Sequence, residues 1–130
     1  MSDKSEIIIY QTEDGLTKID VRLDEDTVWL TQAEMAELFN TTKQNVSLHI
    51  NNIFKEGELN KNSVVKEYLT TAADGKSYKT NFYNLDVIIS VGYRVKSIRG
   101  TQFRIWANSI LKEYIIKGFA LDDDRMKNGS

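Results

Sequence analysis

The sequence predicts an α+β domain, a winged helix-turn-helix with a small N-terminal antiparallel β-sheet and C-terminal helices. Three observations support this fold: strand-like runs at the front, two short helices joined by a tight turn, and a later hairpin signal. At 130 residues the chain has the length of one domain. We expect roughly two-thirds of the unfolded surface to be buried around a single core.

The predicted sheet comes from apolar runs at residues 6–10 and 17–23, which flank the turn sequence Glu13-Asp14-Gly15. In the second run, Ile19, Val21 and Leu23 alternate with polar residues, as in a strand with one buried face. A third extended piece at residues 27–29 leads into the first helix. These strands make up the N-terminal part, residues 1–29.

Residues 30–54 are predicted to form the helix-turn-helix. Thr31 and Glu34 have the spacing of a capping box, so the first helix starts at Gln32. It should end near Phe39, because Asn40 tolerates the left-handed backbone that often terminates helices. A three-residue turn, Asn40-Thr41-Thr42, precedes the second helix.

The second predicted helix has Thr42 as its N-cap and ends at Lys55-Glu56-Gly57. Its apolar stripe, spaced i, i+4 and i+7, is Val46, Ile50 and Ile53. The opposite side is rich in amides, which favour helices poorly and are therefore unusual on a plain solvated face. That face carries Gln44, Asn45, Ser47, Leu48, Asn51 and Asn52.

Downstream, Asp74-Gly75 between two β-rich runs predicts a wing-like hairpin over residues 63–83. Residues 84–118 are expected to form C-terminal helices: Asn84 caps the first, Gly92 leaves its end open, and a second runs from Thr101 to a stop at Gly118. Between them lies a basic connector with Arg94, Lys96 and Arg99. Residues 119–130 are predicted to be a tail or linker, and the whole chain, 1–130, a single domain.

Composition excludes several classes of site. The chain has no cysteine, so disulfides, thiolate metal sites and thiol nucleophiles are ruled out. Its single histidine, His49, has no ligand-spaced partner, and we predict no metal, no cofactor and no enzyme activity. The polar N-terminus and the lack of a membrane-spanning apolar run predict a cytoplasmic chain without membrane contact.

Charge is distributed unevenly. Residues 1–40 hold 3 Lys/Arg against 10 Asp/Glu, a net charge of −7, whereas residues 41–118 hold 12 against 6, a net charge of +6. A basic region can attract phosphate while an acidic lobe faces away, because salt screens repulsion beyond about 8 Å. The overall charge of −2 therefore does not exclude a nucleic-acid partner.

We interpret the second helix as a DNA-reading helix, since Gln and Asn can form paired hydrogen bonds with adenine in the major groove. The predicted reading residues are Thr42, Lys43, Gln44, Asn45, Ser47, Leu48 and Asn51. The predicted phosphate contacts are Lys76, Lys79, Arg94, Lys96 and Arg99. DNA is the expected partner.

A protein-interaction module without direct nucleic-acid binding is the alternative. In that case Leu48 and the aromatic residues of the last helix, Phe103, Trp106 and Tyr114, would form the contact. Burial of these aromatic residues would count against it. A homodimer is compatible with either interpretation.

Several segments together resemble the RhuM family of bacterial virulence-associated proteins: residues 27–39, 45–47, 49–54, 99–107 and 117–121. The resemblance covers about residues 6–125. Through Phe103, Trp106 and Gly118 the chain is also similar, more weakly, to the N-terminal DNA-binding domain of phage antirepressors and Bro proteins. The resemblance to the RhuM family implies that this chain is the N-terminal DNA-binding domain of a longer regulatory protein. A C-terminal part outside this sequence would then bind a protein partner.

Overall fold

The fold is an antiparallel sheet packed against helices. The computed structural model describes residues 5–129, and side chains as far as Tyr114. The strands are β1 Glu6–Gln11, β2 Lys18–Asp24, β3 Thr27–Leu30, β4 Val65–Thr71 and β5 Ser77–Asn84. The helices are α1 Gln32–Phe39, α2 Lys43–Lys55, α3 Lys61–Val64, α4 Leu85–Arg94 and α5 Ile98–Gly129. The predicted α+β class is confirmed.

All five strands belong to one sheet, in the order β1-β2-β3-β5-β4. The N-terminal strands and the later hairpin were predicted as separate units, but β3 joins them through two residue pairs, Trp29↔Asn84 and Leu30↔Tyr83. The β4–β5 hairpin pairs from Val65↔Tyr83 to Thr71↔Ser77, with its turn at Asp74-Gly75. Because β3 runs directly into α1, the same joint fixes the helices to the hairpin.

The alternation in β2 correctly identifies its buried face: Ile19, Val21 and Leu23 all lie in the core. On the helical side the core includes Met35 and Leu38 of α1 and the predicted stripe of α2. Each fully buried aliphatic side chain stabilises the fold by about 1.5–3 kcal/mol relative to its exposed state. The stripe thereby fixes which side of α2 faces outward.

Local capping sets the boundaries of α1 as the sequence predicts. The Thr31 hydroxyl accepts a hydrogen bond from the Glu34 backbone N–H at 3.1 Å, and the Thr31 N–H donates to Glu34 Oε1 at 2.8 Å. Asn40 adopts the left-handed conformation with φ of 54°. Thr42 then caps α2 by accepting from the Asn45 N–H at 3.0 Å.

The capping carboxylate of Glu34 should make stability depend on pH. Burial raises the pKa of Glu34, against hydrogen bonds from Thr31 that lower it, and the charges of Asp20 and Glu37 add to the rise. The folded chain therefore holds this proton more tightly than the unfolded chain, and ionisation of Glu34 costs stability as the pH rises from acid towards neutral.

We expect Glu34→Gln to keep the capping geometry and to raise the free energy of unfolding at pH 7 by up to about 1 kcal/mol. The gain should shrink near pH 3.5, where Glu34 is protonated in both states. Urea denaturation of wild type and variant at the two pH values measures it. A difference that is the same at both, or larger in acid, would contradict the expectation.

Two glycines allow α4 and α5 to cross closely. A Cβ on Gly92 would lie 3.1 Å from Cε1 and Cζ of Phe39 and 3.3 Å from Cα of Gly100. Gly92 thus lies inside α4, which continues to Arg94, and the predicted connector shortens to residues 95–97.

Both predicted ends of the last helix are wrong. The helix begins at Ile98 instead of Thr101, and its backbone remains helical past the predicted stop at Gly118 to Gly129. The assignment of residues 119–130 to a tail or linker concerns domain organisation and stays a prediction. A glycine inside a helix costs only about 1 kcal/mol, and no proline follows to end the helix. Ser130 lies outside the described residues.

Candidate nucleic-acid interface

The outward side of α2 carries the predicted reading residues. Val46, Ile50 and Ile53 are buried on one side of α2. The row of side chains on the opposite side is open to solvent, and it consists of Gln44, Leu48 and Asn51. Leu48 is 56% exposed. Two amides and one apolar side chain at i, i+4 and i+7 form a continuous surface about 10 Å long.

The remaining predicted reading residues near the start of α2 have internal roles. The Thr42 hydroxyl caps the helix, and Asn45 Nδ2 donates to the Thr41 hydroxyl at 2.9 Å. Ser47 is half-buried beside them. These contacts hold the first turn of α2, which positions the exposed Lys43.

Lys43 opens onto a groove that it shares with the hairpin residue Lys79. The groove lies between the N-terminal ends of α1 and α2 on one side and β5 on the other. Its other lining residues are Thr31, Gln32, Ala33, Thr80, Asn81 and Tyr83. One hydrogen bond spans the groove: Gln32 Nε2 donates to the Tyr83 hydroxyl at 3.1 Å. No local sequence pattern indicates Gln32, Thr80 or Asn81, because it is the β3–β5 pairing that brings β5 beside the two helices.

At the hairpin tip, Lys76 is exposed and its backbone N–H donates to Asp74 Oδ1 at 2.9 Å. The Tyr78 hydroxyl donates to the other oxygen of Asp74 at 2.6 Å, and together these bonds lower the pKa of Asp74. The tip is thus a defined turn that presents the Lys76 side chain.

Two predicted phosphate contacts have intramolecular partners. Arg94 Nη2 lies 3.1 Å from Glu56 and 2.8 Å from Glu58, tying α4 to the segment after α2. Arg99 donates to the Leu38 carbonyl at 3.2 Å and pairs with Asp14 at 3.2 Å, joining α5 to the end of α1 and to the β1–β2 turn. Lys96, in contrast, is exposed.

A family model, described as the virulence protein RhuM family, matches residues 63–130. This is slightly more than half of the chain. The chain belongs to the RhuM family. No curated protein and no solved structure matches it. The matched part of the chain begins just before β4 and includes the hairpin, α4 and α5.

The hairpin of this RhuM-family chain is attached to the N-terminal strands by charged and aromatic side chains. Asp24 accepts hydrogen bonds from the Tyr68 hydroxyl and from Lys66, and Lys66 also contacts Glu25. Burial and the bond to Asp24 raise the pKa of Tyr68 to about 12. The Arg22 guanidinium lies 4.1 Å from the Tyr68 ring centroid. Lys66 is therefore part of the hairpin anchor.

Among residues 5–114, no group of three or more His, Asp or Glu side chains is arranged to hold a metal ion. His49 is half-buried on α2. No helix in the described part is both long and apolar enough to cross a membrane.

Proposed function

We propose that this RhuM-family domain binds double-stranded DNA as a winged helix-turn-helix, with α2 in the major groove and the β4–β5 hairpin against the backbone. The observation that carries the proposal is the groove in which Lys43 of α2 and Lys79 of the hairpin lie on facing sides, next to the exposed amide row. Lysine is one of the side chains that most often contact phosphate oxygens, and here one lysine lies on the reading helix and one on the hairpin beside it.

The connectivity supports the same proposal. β3 leads into the α1–α2 pair, and the hairpin that follows α2 returns to pair with β3. The hairpin therefore projects beside the helix pair, where a wing contacts DNA next to the helix in the groove.

The exposed row of α2 has side chains suited to base edges. Gln44 and Asn51 can each bond N6 and N7 of adenine, and Leu48 can contact the methyl group of thymine. Each well-formed paired contact discriminates between bases by about 1–3 kcal/mol. We assign backbone contacts to Lys43, Lys76 and Lys79. Arg94 and Arg99 are left out, because a phosphate would have to displace their carboxylate partners.

The phosphate contacts are tested with the double variant Lys43→Ala/Lys79→Ala. We expect its affinity for a random-sequence duplex to fall about tenfold, and the slope of log K against log salt to become shallower by about 1.8. Fluorescence anisotropy of a labelled duplex at several salt concentrations measures both. Lys61→Ala removes an exposed lysine outside the groove and serves as the matched control. Wild type that binds no duplex even at low salt rules the function out.

The reading role of α2 is tested separately with Asn51→Ala. On the preferred site selected from a random library, this variant should lose about 1–3 kcal/mol of discrimination at one base pair. Its binding to non-specific duplex should match that of wild type. An unchanged base preference in a repeated selection would mean that another element reads the bases.

The protein-interaction alternative is weakened at one of its residues. Phe103 is buried and packs edge to face against Tyr10, with ring centroids 5.2 Å apart, so it is unavailable to a partner. Trp106 is half-buried, while Tyr114 is 41% exposed. Leu48 and Tyr114 lie on different helices, α2 and α5.

A further inference from the structure

A second groove lies between the end of α4 and the start of α5. Its apolar lining comes from Ile89, Tyr93 and Ile98. Tyr93 is 85% exposed and Ile98 75% exposed. Large apolar side chains this open to water, grouped around one concavity, are typical of a binding surface.

The charges of this groove all have one sign. Lys96 and Arg104 line it and are exposed, and no carboxylate is among its lining residues. Lys96 also has a left-handed backbone with φ of 55°, a position where glycine would cost less. An occupant that matches the groove must combine apolar and acidic residues.

The chain itself contains such a segment. Residues 115–124 read Ile-Ile-Lys-Gly-Phe-Ala-Leu-Asp-Asp-Asp, an apolar stretch followed by three consecutive aspartates. Its net charge of −2 is opposite to that of the groove. Because α5 is one continuous helix, this segment lies well beyond the start of its own helix and reaches the groove only in another copy.

We propose that α5 pairs antiparallel with α5 of a second copy, so that residues 115–124 of each chain cover the α4–α5 groove of the other. An antiparallel pair whose midpoint is level with Ile110 places Asp122 level with Ile98 of the partner, close to the start of the partner's α5. The contact is two-fold symmetric, and each groove is filled in the same way. The whole helix is about 48 Å long, which is ample for this overlap.

The test is sedimentation equilibrium of the full chain in the absence of DNA, so its result does not depend on the proposed function. Wild type is expected to form dimers. Reversing the groove charges with Lys96→Glu/Arg104→Glu, or the acidic run with Asp122→Lys/Asp123→Lys/Asp124→Lys, should each raise the dimer Kd about tenfold or more. Combining both reversals in one chain should return the dimer Kd to the wild-type range. Lys61→Glu, an exposed charge reversal away from the groove, is the control.

Circular dichroism of each variant verifies that the fold is kept. The proposal fails if wild type is monomeric at about 100 μM. It fails equally if either reversal leaves the dimer Kd unchanged, or if the combined variant stays as weak as the single ones. Recovery in the combined variant, together with an unchanged dimer Kd for Lys61→Glu, identifies the groove and residues 122–124 as direct partners.

Discussion

Phe103→Ala should lower the free energy of unfolding by about 3–5 kcal/mol. Phe103 has no exposed surface and is among the largest fully buried side chains of the described core. Its ring meets Tyr10 edge to face at 5.2 Å and Trp106 at 5.6 Å. Truncation therefore removes buried apolar area and two aromatic contacts, and leaves a cavity between α5 and the sheet.

Urea denaturation followed by circular dichroism measures this loss. Leu16→Ala is the control, because Leu16 is 85% exposed in the β1–β2 turn and its truncation should change stability by less than about 0.5 kcal/mol. A Phe103→Ala loss below about 1 kcal/mol would mean that α5 is not docked through this ring.

Gly92→Val should lower the free energy of unfolding by about 2–3 kcal/mol through overpacking. A Cβ at this position is already tight against the Phe39 ring and the Gly100 backbone, and valine adds two methyl groups. Neither neighbour can yield easily, because Phe39 is buried and Gly100 is main chain.

A double-mutant cycle assigns the cause. Phe39→Leu removes the ring atoms that the new side chain would strike, so Phe39→Leu/Gly92→Val should be less destabilised than the sum of the single variants. Additive losses would place the strain elsewhere. Thermal and urea unfolding of the four proteins provide the cycle.

Local sequence signals predicted the helix pair well. The bounds of α1 and α2 follow from Thr31, Glu34, Asn40 and Thr42, whose hydrogen bonds and backbone preferences act within four residues. The end of α5 was missed because a lone glycine is a weak stop. The β3–β5 joint was missed because it pairs residues more than fifty positions apart, and no local pattern specifies that register.

The same difference between local and long-range signals applies to the candidate interface. The open face of α2 could be predicted, because the spacing of Val46, Ile50 and Ile53 determines its opposite side. The cations that remain available to phosphate could not be predicted, because Arg94 and Arg99 form ion pairs with residues that are distant in sequence. The groove that Lys43 shares with Lys79 likewise exists only after the sheet has formed.

The close approach of Gly92, Gly100 and Phe39 also limits how this chain can diverge. With two backbones and one aromatic ring filling the same space, a larger residue at position 92 requires a smaller one at position 39, and a larger residue at position 100 meets the Gly92 backbone. Relatives that keep this crossing should therefore vary at positions 39, 92 and 100 together. In an alignment of such relatives, substitutions at these three positions should be correlated.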